Sequence, residues 1–313
     1  MSERLLITGA NGFVAKSVCE LATHNGFSVK GALRQHRGMS SYIEPFVVGE
    51  INATTNWGSA LCNVNVIVHL AARVHVMHDT SAEPLAAFRA VNVDGTLNLA
   101  RQAVAAGVKR FVLISSVKVN GESTPPGRAF TEADVPNPQD AYGQSKHEAE
   151  EGLRQLSAHT GMEVVVIRPP LVYGPGVKAN FAGLIRAVQR GWPLPLGDVN
   201  NERSLVALDN LADFIVTCIT HPLAANQNFL VSDGHDLSTT ELVRGIAEAA
   251  GVSVRLLPIP VWALKAGASL LRRGDTVQRL CGNLQVDISK ARSLLRWEPP
   301  VSVQEGLRRV LAL

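Results

Sequence analysis

From residue 5 to residue 168 the sequence alternates short, continuously apolar runs with longer stretches of helical period. The apolar runs stand at 5–8, 28–33, 46–48, 66–70, 111–115 and 164–168, and residues 14–25, 85–106 and 141–159 repeat their apolar positions with helical spacing. A strand that is apolar on both faces must be covered on both, and amphipathic helices packed above and below the sheet do this. Parallel strands joined by helices cross over with one hand. The pattern therefore predicts an α/β chain built on a doubly wound parallel sheet.

Beyond Arg168 the alternation stops. Pro169, Pro170, Pro175, Pro193 and Pro195 stand among several glycines, which argues against long regular elements there. A strand-like run follows at 229–231. A helix start follows at Ser238-Thr239-Thr240-Glu241, where hydroxyl and carboxylate have the spacing that caps free amides. From about Val261 the chain is helical in pattern and ends in an amphipathic helix. We expect a nucleotide-binding domain over 1–170 with about 205–232 added, and a smaller C-terminal α/β substrate domain from 171–204 and 233–313.

Composition narrows the function. Hydrophobic residues make up 46% and charged residues 18%, as in a globular chain, and a net charge of +3 is too small and scattered for a nucleic-acid footprint. Cys19, Cys62, Cys218 and Cys281 show no paired spacing for zinc or redox work, which fits free, mostly buried thiols in a reducing compartment. The N-terminal apolar run is too short for a signal-peptide core. The most apolar later stretch, 256–271, is interrupted by Lys265 and is shorter than a membrane span. The expectation is a cytoplasmic protein with no nucleic-acid or membrane partner and no metal.

Three motifs carry chemistry. Thr8-Gly9-Ala10-Asn11-Gly12-Phe13-Val14-Ala15 follows the first strand and opens the first helix, where glycines let backbone amides approach a pyrophosphate. Ser115-Ser116 ends a middle strand, on the edge where such sheets bind ligands. Tyr142-Gly143-Gln144-Ser145-Lys146 puts a phenol and an ammonium on one helix face; the cation is expected to draw the tyrosine pKa down. Each alone is common: glycine pairs mark ordinary turns, and Tyr-x-x-x-Lys occurs on many exposed helices.

Together, in this order, they resemble the extended short-chain dehydrogenase/reductase family with its Rossmann fold, in particular its sugar-nucleotide epimerase, dehydratase and reductase branch. His69-Leu70-Ala71-Ala72, Asn92-Val93-Asp94-Gly95-Thr96, Arg168-Pro169-Pro170-Leu171-Val172-Tyr173-Gly174-Pro175, Arg203 to Asn210 and Val286 to Ala291 add to the resemblance, which covers residues 4–311. Where the branch has valine-tyrosine-glycine, this chain has Val119-Asn120-Gly121. In that it is similar to a bacterial surface-polysaccharide subgroup of UDP-sugar 4-epimerases and UDP-4-keto-6-deoxy-N-acetylhexosamine reductases.

The resemblance implies an enzyme with Tyr142 as proton donor and acceptor, Lys146 on the nicotinamide ribose and Ser116 on the reacting oxygen. It implies a cofactor bound along Gly9, Asn11, Gly12, Phe13 and Val14, by Glu50 and Ile51 at the adenine, and by Leu70, Ala71, Ala72, Asn92, Ser115, Pro169 and Val172. Substrate pyrophosphate falls to Asn180 and Arg203, with Arg279 as a further clamp. The second strand ends in Leu33-Arg34-Gln35-His36-Arg37 with no acid for a ribose hydroxyl, so Arg34, with Arg37 second, favours NADP(H) over NAD(H). His75, His78 and Arg73 are expected to edge the cleft rather than bind metal. The resulting expectation is reduction of a UDP-4-keto-6-deoxy-N-acetylhexosamine for surface polysaccharide, with the 4-epimerase of UDP-glucose or UDP-N-acetylglucosamine and a non-catalytic cofactor sensor as alternatives, and a homodimer as a further possibility.

Overall fold

The computed structural model describes residues 3–35, 43–74, 83–270 and 274–312, with the side chains of 268–270, 275 and 276 left aside. His36, Arg37, His75 and His78 lie outside the described residues.

The strands β1 (Arg4–Thr8), β2 (Ser28–Leu33), β3 (Glu44–Val47), β4 (Val66–His69), β5 (Arg110–Ile114), β6 (Glu163–Arg168) and β9 (Asn228–Leu230) form one sheet in the order β3-β2-β1-β4-β5-β6-β9, with every pair parallel. The winding reverses between β1 and β4. In sheets of this class, ligands bind in the crevice outside the carboxyl ends of the strands at such a reversal. Two short strands, β7 (Leu171–Tyr173) and β8 (Leu205–Ala207), pair parallel in a sheet of their own.

The helices are α1 (Phe13–His24), α2 (Pro84–Arg89), α3 (Thr96–Ala105), α4 (Ala141–Thr160), α5 (Ala179–Gln189), α6 (Leu208–Thr220), α7 (Thr239–Ala249), α8 (Val261–Leu270), α9 (Gly274–Cys281), α10 (Ser289–Leu295) and α11 (Val303–Leu311). Two apolar layers sandwich the main sheet. One joins α1 and α6 through Val18, Cys19, Leu211 and Ile215, and the other joins α3 and α4 through Leu99, Ala103, Ala149 and Leu153. A third cluster, including Tyr173, Phe181, Val243 and Leu307, gathers α5, α7 and α11 around β7 and β8. Cys19 and Cys218 are buried as expected, whereas Cys62 is exposed and Cys281 half-buried.

Polar hubs tie the pieces together. Arg110, at the start of β5, donates to the carbonyls of Cys218, Ile219 and His221, so it closes the end of α6 onto the sheet. Asn210 donates to Asp233 and to the Val301 carbonyl and accepts from the Val301 amide, which brings the C-terminal segment onto α6. The capping box expected at Ser238 is present, with Ser238 and Glu241 each satisfying the other's amide.

Two features depart from the sequence pattern. The proline-punctuated stretch holds a regular helix, α5, because residues 179–189 themselves contain no proline. The helix expected over 85–106 is divided by a π-helical turn, Ala90–Gly95, between α2 and α3. Gly95 is required in that turn: a Cβ there would stand 2.6 Å from Ile51 Cγ2. We predict that Gly95→Ala destabilises the protein by roughly 1–3 kcal/mol, the usual cost of overpacking a tight contact, measured by urea denaturation.

Candidate active site

The crevice is built around Thr8. Its hydroxyl accepts from the amides of Leu70 and Ala71, both at 3.1 Å, and lies 2.8 Å from His69 Nδ1. With two amides as donors, the Thr8 hydroxyl has its own proton left for Nδ1, so the imidazole proton sits on Nε2, which faces Thr96 Oγ1 at 3.0 Å. Burial, followed by the charge of Lys146, pulls His69 down to about 3, so the ring is neutral.

Thr8 thereby sets the spacing of the glycine turn. Gly9 has φ +64°, and a Cβ on it would stand 3.1 Å from the Ala71 backbone; a Cβ on Gly12 would stand 2.9 Å from the Gly9 carbonyl. No side chain caps the start of α1 and no acid stands in its first turn. A narrow, side-chain-free cradle under uncapped helix amides fits the pyrophosphate of a dinucleotide. Along it lie Asn11, exposed, and Phe13 and Val14, half-buried; Leu70 and Ala72 are half-buried beside it, while exposed Glu50 and half-buried Ile51 follow β3. Arg34, at the carboxyl end of β2, is exposed and makes no ion pair with a described residue.

Ser116 follows β5 and caps a single turn of 3-10 helix, Val117–Val119, its hydroxyl accepting from the Lys118 amide at 3.2 Å. The next helix is held to both sides of that serine. Before it, Lys146 Nζ donates to the Ile114 carbonyl at 2.8 Å; after it, Lys118 pairs with Asp140, the residue that caps α4 through the Gly143 amide. A Cβ on Gly143 would stand 2.8 Å from the Lys118 carbonyl, so α4 packs directly on the serine turn. Ser116, Tyr142 and Lys146 thus share one edge of the sheet. The Tyr142 ring lies edge-on to Phe88 at 6.1 Å, and the Arg73 guanidinium sits over the other ring of that wall, 5.5 Å from Phe88.

The electrostatics differ from the sequence expectation. Burial raises the Tyr142 phenol above its ordinary value and Asp140 raises it further, while the Lys146 ammonium is directed to the Ile114 carbonyl. Lys146 itself is lowered by burial to about 8, with Glu150 pulling the other way. As arranged, the phenol holds its proton at neutral pH, which suits the donor role.

Other expected residues occupy mixed places. Asn92 is buried and fully engaged: its amide donates to the Arg73 carbonyl and to Ser145 Oγ, and its oxygen accepts from the Arg73 amide. It therefore braces α4 against the segment after β4. The Ser115 hydroxyl donates inward to Glu150. Pro169 accepts from the Val117 amide at 3.0 Å, and Val172 lies half-buried in β7. Asn180 is exposed in the first turn of α5, after Ala179 at φ +57°. Arg203 is paired through its backbone with Leu237 and Leu284 and donates to the Gly282 carbonyl at 2.9 Å. Burial, and after it the like charge of Arg279, lower Arg203, and neither arginine forms an ion pair with a described residue.

The pattern of the NAD dependent epimerase/dehydratase family matches residues 5–231. The chain belongs to this family. As a member it is an enzyme of the sugar-nucleotide epimerase kind, and its fold is the Rossmann-like one of these proteins. The UDP-glucose 4-epimerase of Vibrio cholerae is 50% identical over 311 residues, covering 99% of this chain and 94% of the relative. The N-acetyl-alpha-D-glucosaminyl-diphospho-ditrans,octacis-undecaprenol 4-epimerase of Escherichia coli O157:H7 is 26% identical, covering 99% and 95%. The solved UDP-N-acetylglucosamine 4-epimerase from Bacillus cereus superposes with a TM-score of 0.81 at 19% identity, covering 99% and 98%. Among the described residues no helix is long and apolar enough to cross a membrane, and no cluster of metal-ligating side chains is present.

Sequence reasoning passed over Thr8 as a functional group, and over Lys118, Asp140 and Glu150. Asp140 had a legible signal, since it stands two positions before Tyr142 as the cap of α4; Glu150 was masked by the charged residues around it, and Lys118 by the 22 positions between it and Asp140. We predict that Tyr142→Phe lowers turnover about 10²–10⁴-fold, the usual contribution of a general acid–base group, with dinucleotide affinity within about twofold of wild type. Near-normal turnover in that variant would remove Tyr142 from the chemistry.

Proposed function

We propose that this enzyme interconverts the two carbon-4 epimers of a hexose carried on UDP. The likeness to the Vibrio cholerae UDP-glucose 4-epimerase carries this reading, because identity of one half extends over nearly the full length of both chains. The names of the two curated relatives share a hexose on a diphosphate and inversion at carbon 4. Arg203, with Arg279 the like charge that acts on it, would meet that diphosphate in charge and in forked hydrogen bonding.

A bound nicotinamide dinucleotide supplies the hydride acceptor and donor of such a reaction. The glycine turn would hold its pyrophosphate, with Glu50 and Ile51 at the adenine end and Lys146 at the ribose. The protein's own share is proton control. Ser116 holds the 4-oxygen by a hydrogen bond at the end of β5. In the oxidising half Tyr142 first gives its own proton to solvent, the ammonium of Lys146, one helical turn on, stabilising the phenolate once drawn off the Ile114 carbonyl, and the phenolate then takes the proton of the 4-hydroxyl. In the reducing half Tyr142, then a phenol, returns that proton to the 4-oxygen of the keto-sugar. Between the halves the sugar presents its other face while Arg203, Arg279 and Asn180 keep the diphosphate in place.

The purified enzyme, given UDP-glucose or UDP-N-acetylglucosamine and no added cofactor, is expected to produce the 4-epimer, read by nuclear magnetic resonance. Arg203→Ala is expected to raise KM for the UDP-hexose tenfold or more, about the weight of a charge-assisted contact, without weakening dinucleotide binding. Equal loss for both ligands would detach Arg203 from the substrate.

One observation favours a second reading, the NADPH-dependent 4-keto reductase. Arg34 stands exposed at the end of β2 with no acid to take a ribose hydroxyl. If Arg34 holds a 2′-phosphate, Arg34→Asp shifts the ratio of NADP⁺ to NAD⁺ dissociation constants by well over tenfold, the weight of a charge-assisted contact plus repulsion. An unmoved ratio, or release of NAD⁺ from the denatured wild type, leaves the epimerase alone.

A further inference from the structure

Behind the catalytic groups lies a line of buried charge that none of the motifs accounts for. Arg168, the last residue of β6, and Glu150 on α4 are 2% and 0% exposed. They meet as a fork, Nε 3.0 Å from Oε1 and Nη2 2.5 Å from Oε2. Arg168 Nη1 also donates to Asn120 Oδ1 at 3.0 Å, and Asn120 Nδ2 donates to the Thr131 carbonyl at 3.0 Å. At the other end Ser115 Oγ donates to Glu150 Oε1 at 2.5 Å. Asn120 is the position where this chain leaves the family's valine-tyrosine-glycine, and its amide oxygen fixes the guanidinium in the orientation that forks onto Glu150.

Burying two charges is costly, and an apolar pair of similar volume often serves packing equally well. This pair connects three segments that carry or border the chemistry: the end of β5 with Ser116, α4 with Tyr142 and Lys146, and the end of β6 with Pro169. Glu150 stands one helical turn beyond Lys146, on the same face.

We propose that Glu150 is a positioning residue for the reaction, fixing the end of β5 through Ser115 and keeping Lys146 an ammonium through its charge. This rests on the role given to Lys146 under the proposed function. The charged and titratable groups around Lys146 are Tyr142 and Glu150 on its own helix, His69 from β4, and Arg168 from β6, which engages Glu150; β5 contributes the Ile114 carbonyl and the Ser115 hydroxyl. His69 is neutral, so Glu150 is the anion that opposes the burial of the lysine. Lys146 is lowered to about 8 with Glu150 in place. Loss of that charge lets it fall further, so the ammonium is lost at a lower pH.

The test is the pH profile of epimerisation for wild type, Glu150→Gln and Glu150→Asp, with thermal melts of each. Glu150→Gln keeps the shape of the fork and removes its charge. Its alkaline limb is expected about one pH unit lower, on the order of what loss of a neighbouring charge produces, with kcat near pH 8 down roughly fivefold and KM within about twofold. Glu150→Asp keeps the charge but withdraws it from Ser115, so its limb stays and its kcat falls. A folded Glu150→Gln variant with an unmoved limb overturns the proposal. Should that variant fail to melt cooperatively, Glu150→Asp decides: reduced kcat at unchanged KM supports positioning, and wild-type kcat overturns it. A wild type inactive on UDP-hexoses would sink the proposed function alone, because the same shift is then read in the pH dependence of NAD⁺ and NADP⁺ dissociation constants.

Discussion

The site depends on how closely β1 and β4 can run at the point where the sheet reverses its winding. The Thr8 hydroxyl receives the amides of Leu70 and Ala71 from the neighbouring strand end, which brings Ala71 to within 3.1 Å of where a Cβ on Gly9 would be. That approach admits only glycine at position 9, and glycine in turn lets the chain turn at φ +64° into α1. A parallel sheet buried on both faces gives the strands their places. The Thr8 contacts turn one end of it into a cradle with free amides. Ser116, Tyr142 and Lys146 are then arranged relative to that edge by α4, which is tied to the ends of β5 and β6.

Around that edge the protein manages an excess of buried polar groups. Lys146 at about 8 and His69 at about 3 are both displaced by burial in the direction that removes positive charge, and the Tyr142 phenol is displaced in the direction that keeps its proton. Left alone, these shifts would make the site neutral and inert. Glu150, with its own charge balanced by Arg168, holds the lysine against that tendency. Asp140, neutralised by Lys118, acts on the tyrosine from the helix start. The acid that caps α4 and the acid within it thus bracket Tyr142 and Lys146 along the helix.

Much of this was legible in residue patterns. The apolar runs placed β1, β2, β4, β5 and β6 to within about a residue, because a strand buried on both faces has no other pattern to follow. The glycine turn, Ser116 and the Tyr142–Lys146 pair stand out because short spacings mark them, and the structure places Ser116, Tyr142 and Lys146 at one edge of the sheet. The π-helical turn at Ala90–Gly95 was not, since its causes are distant: Asn92 bonds across 53 positions to Ser145, and Gly95 lies under Ile51. Glu150 was hidden by its neighbours, as His147, Glu148, Glu150, Glu151 and Arg154 together look like the solvated face of a helix. The expected drop of the Tyr142 pKa followed from spacing alone and was reversed by burial, which spacing does not report. The preference for a reductase stood on Arg34, a single exposed arginine, and full-length likeness to an epimerase outweighs it.

The central claim is that one tyrosine–lysine–serine group at the end of β5 carries a reversible carbonyl–alcohol exchange at carbon 4 of a UDP-hexose. The direct measurement is the fate of the hydrogen on that carbon. UDP-glucose deuterated at carbon 4 is incubated with the enzyme in ordinary water, and the products are separated and weighed by mass spectrometry. The account predicts a 4-epimer that keeps its deuterium, because the hydrogen leaves and returns without meeting solvent. An epimer that has exchanged its deuterium for protium, or the absence of any epimer from UDP-glucose and from the likewise labelled UDP-N-acetylglucosamine, would contradict it.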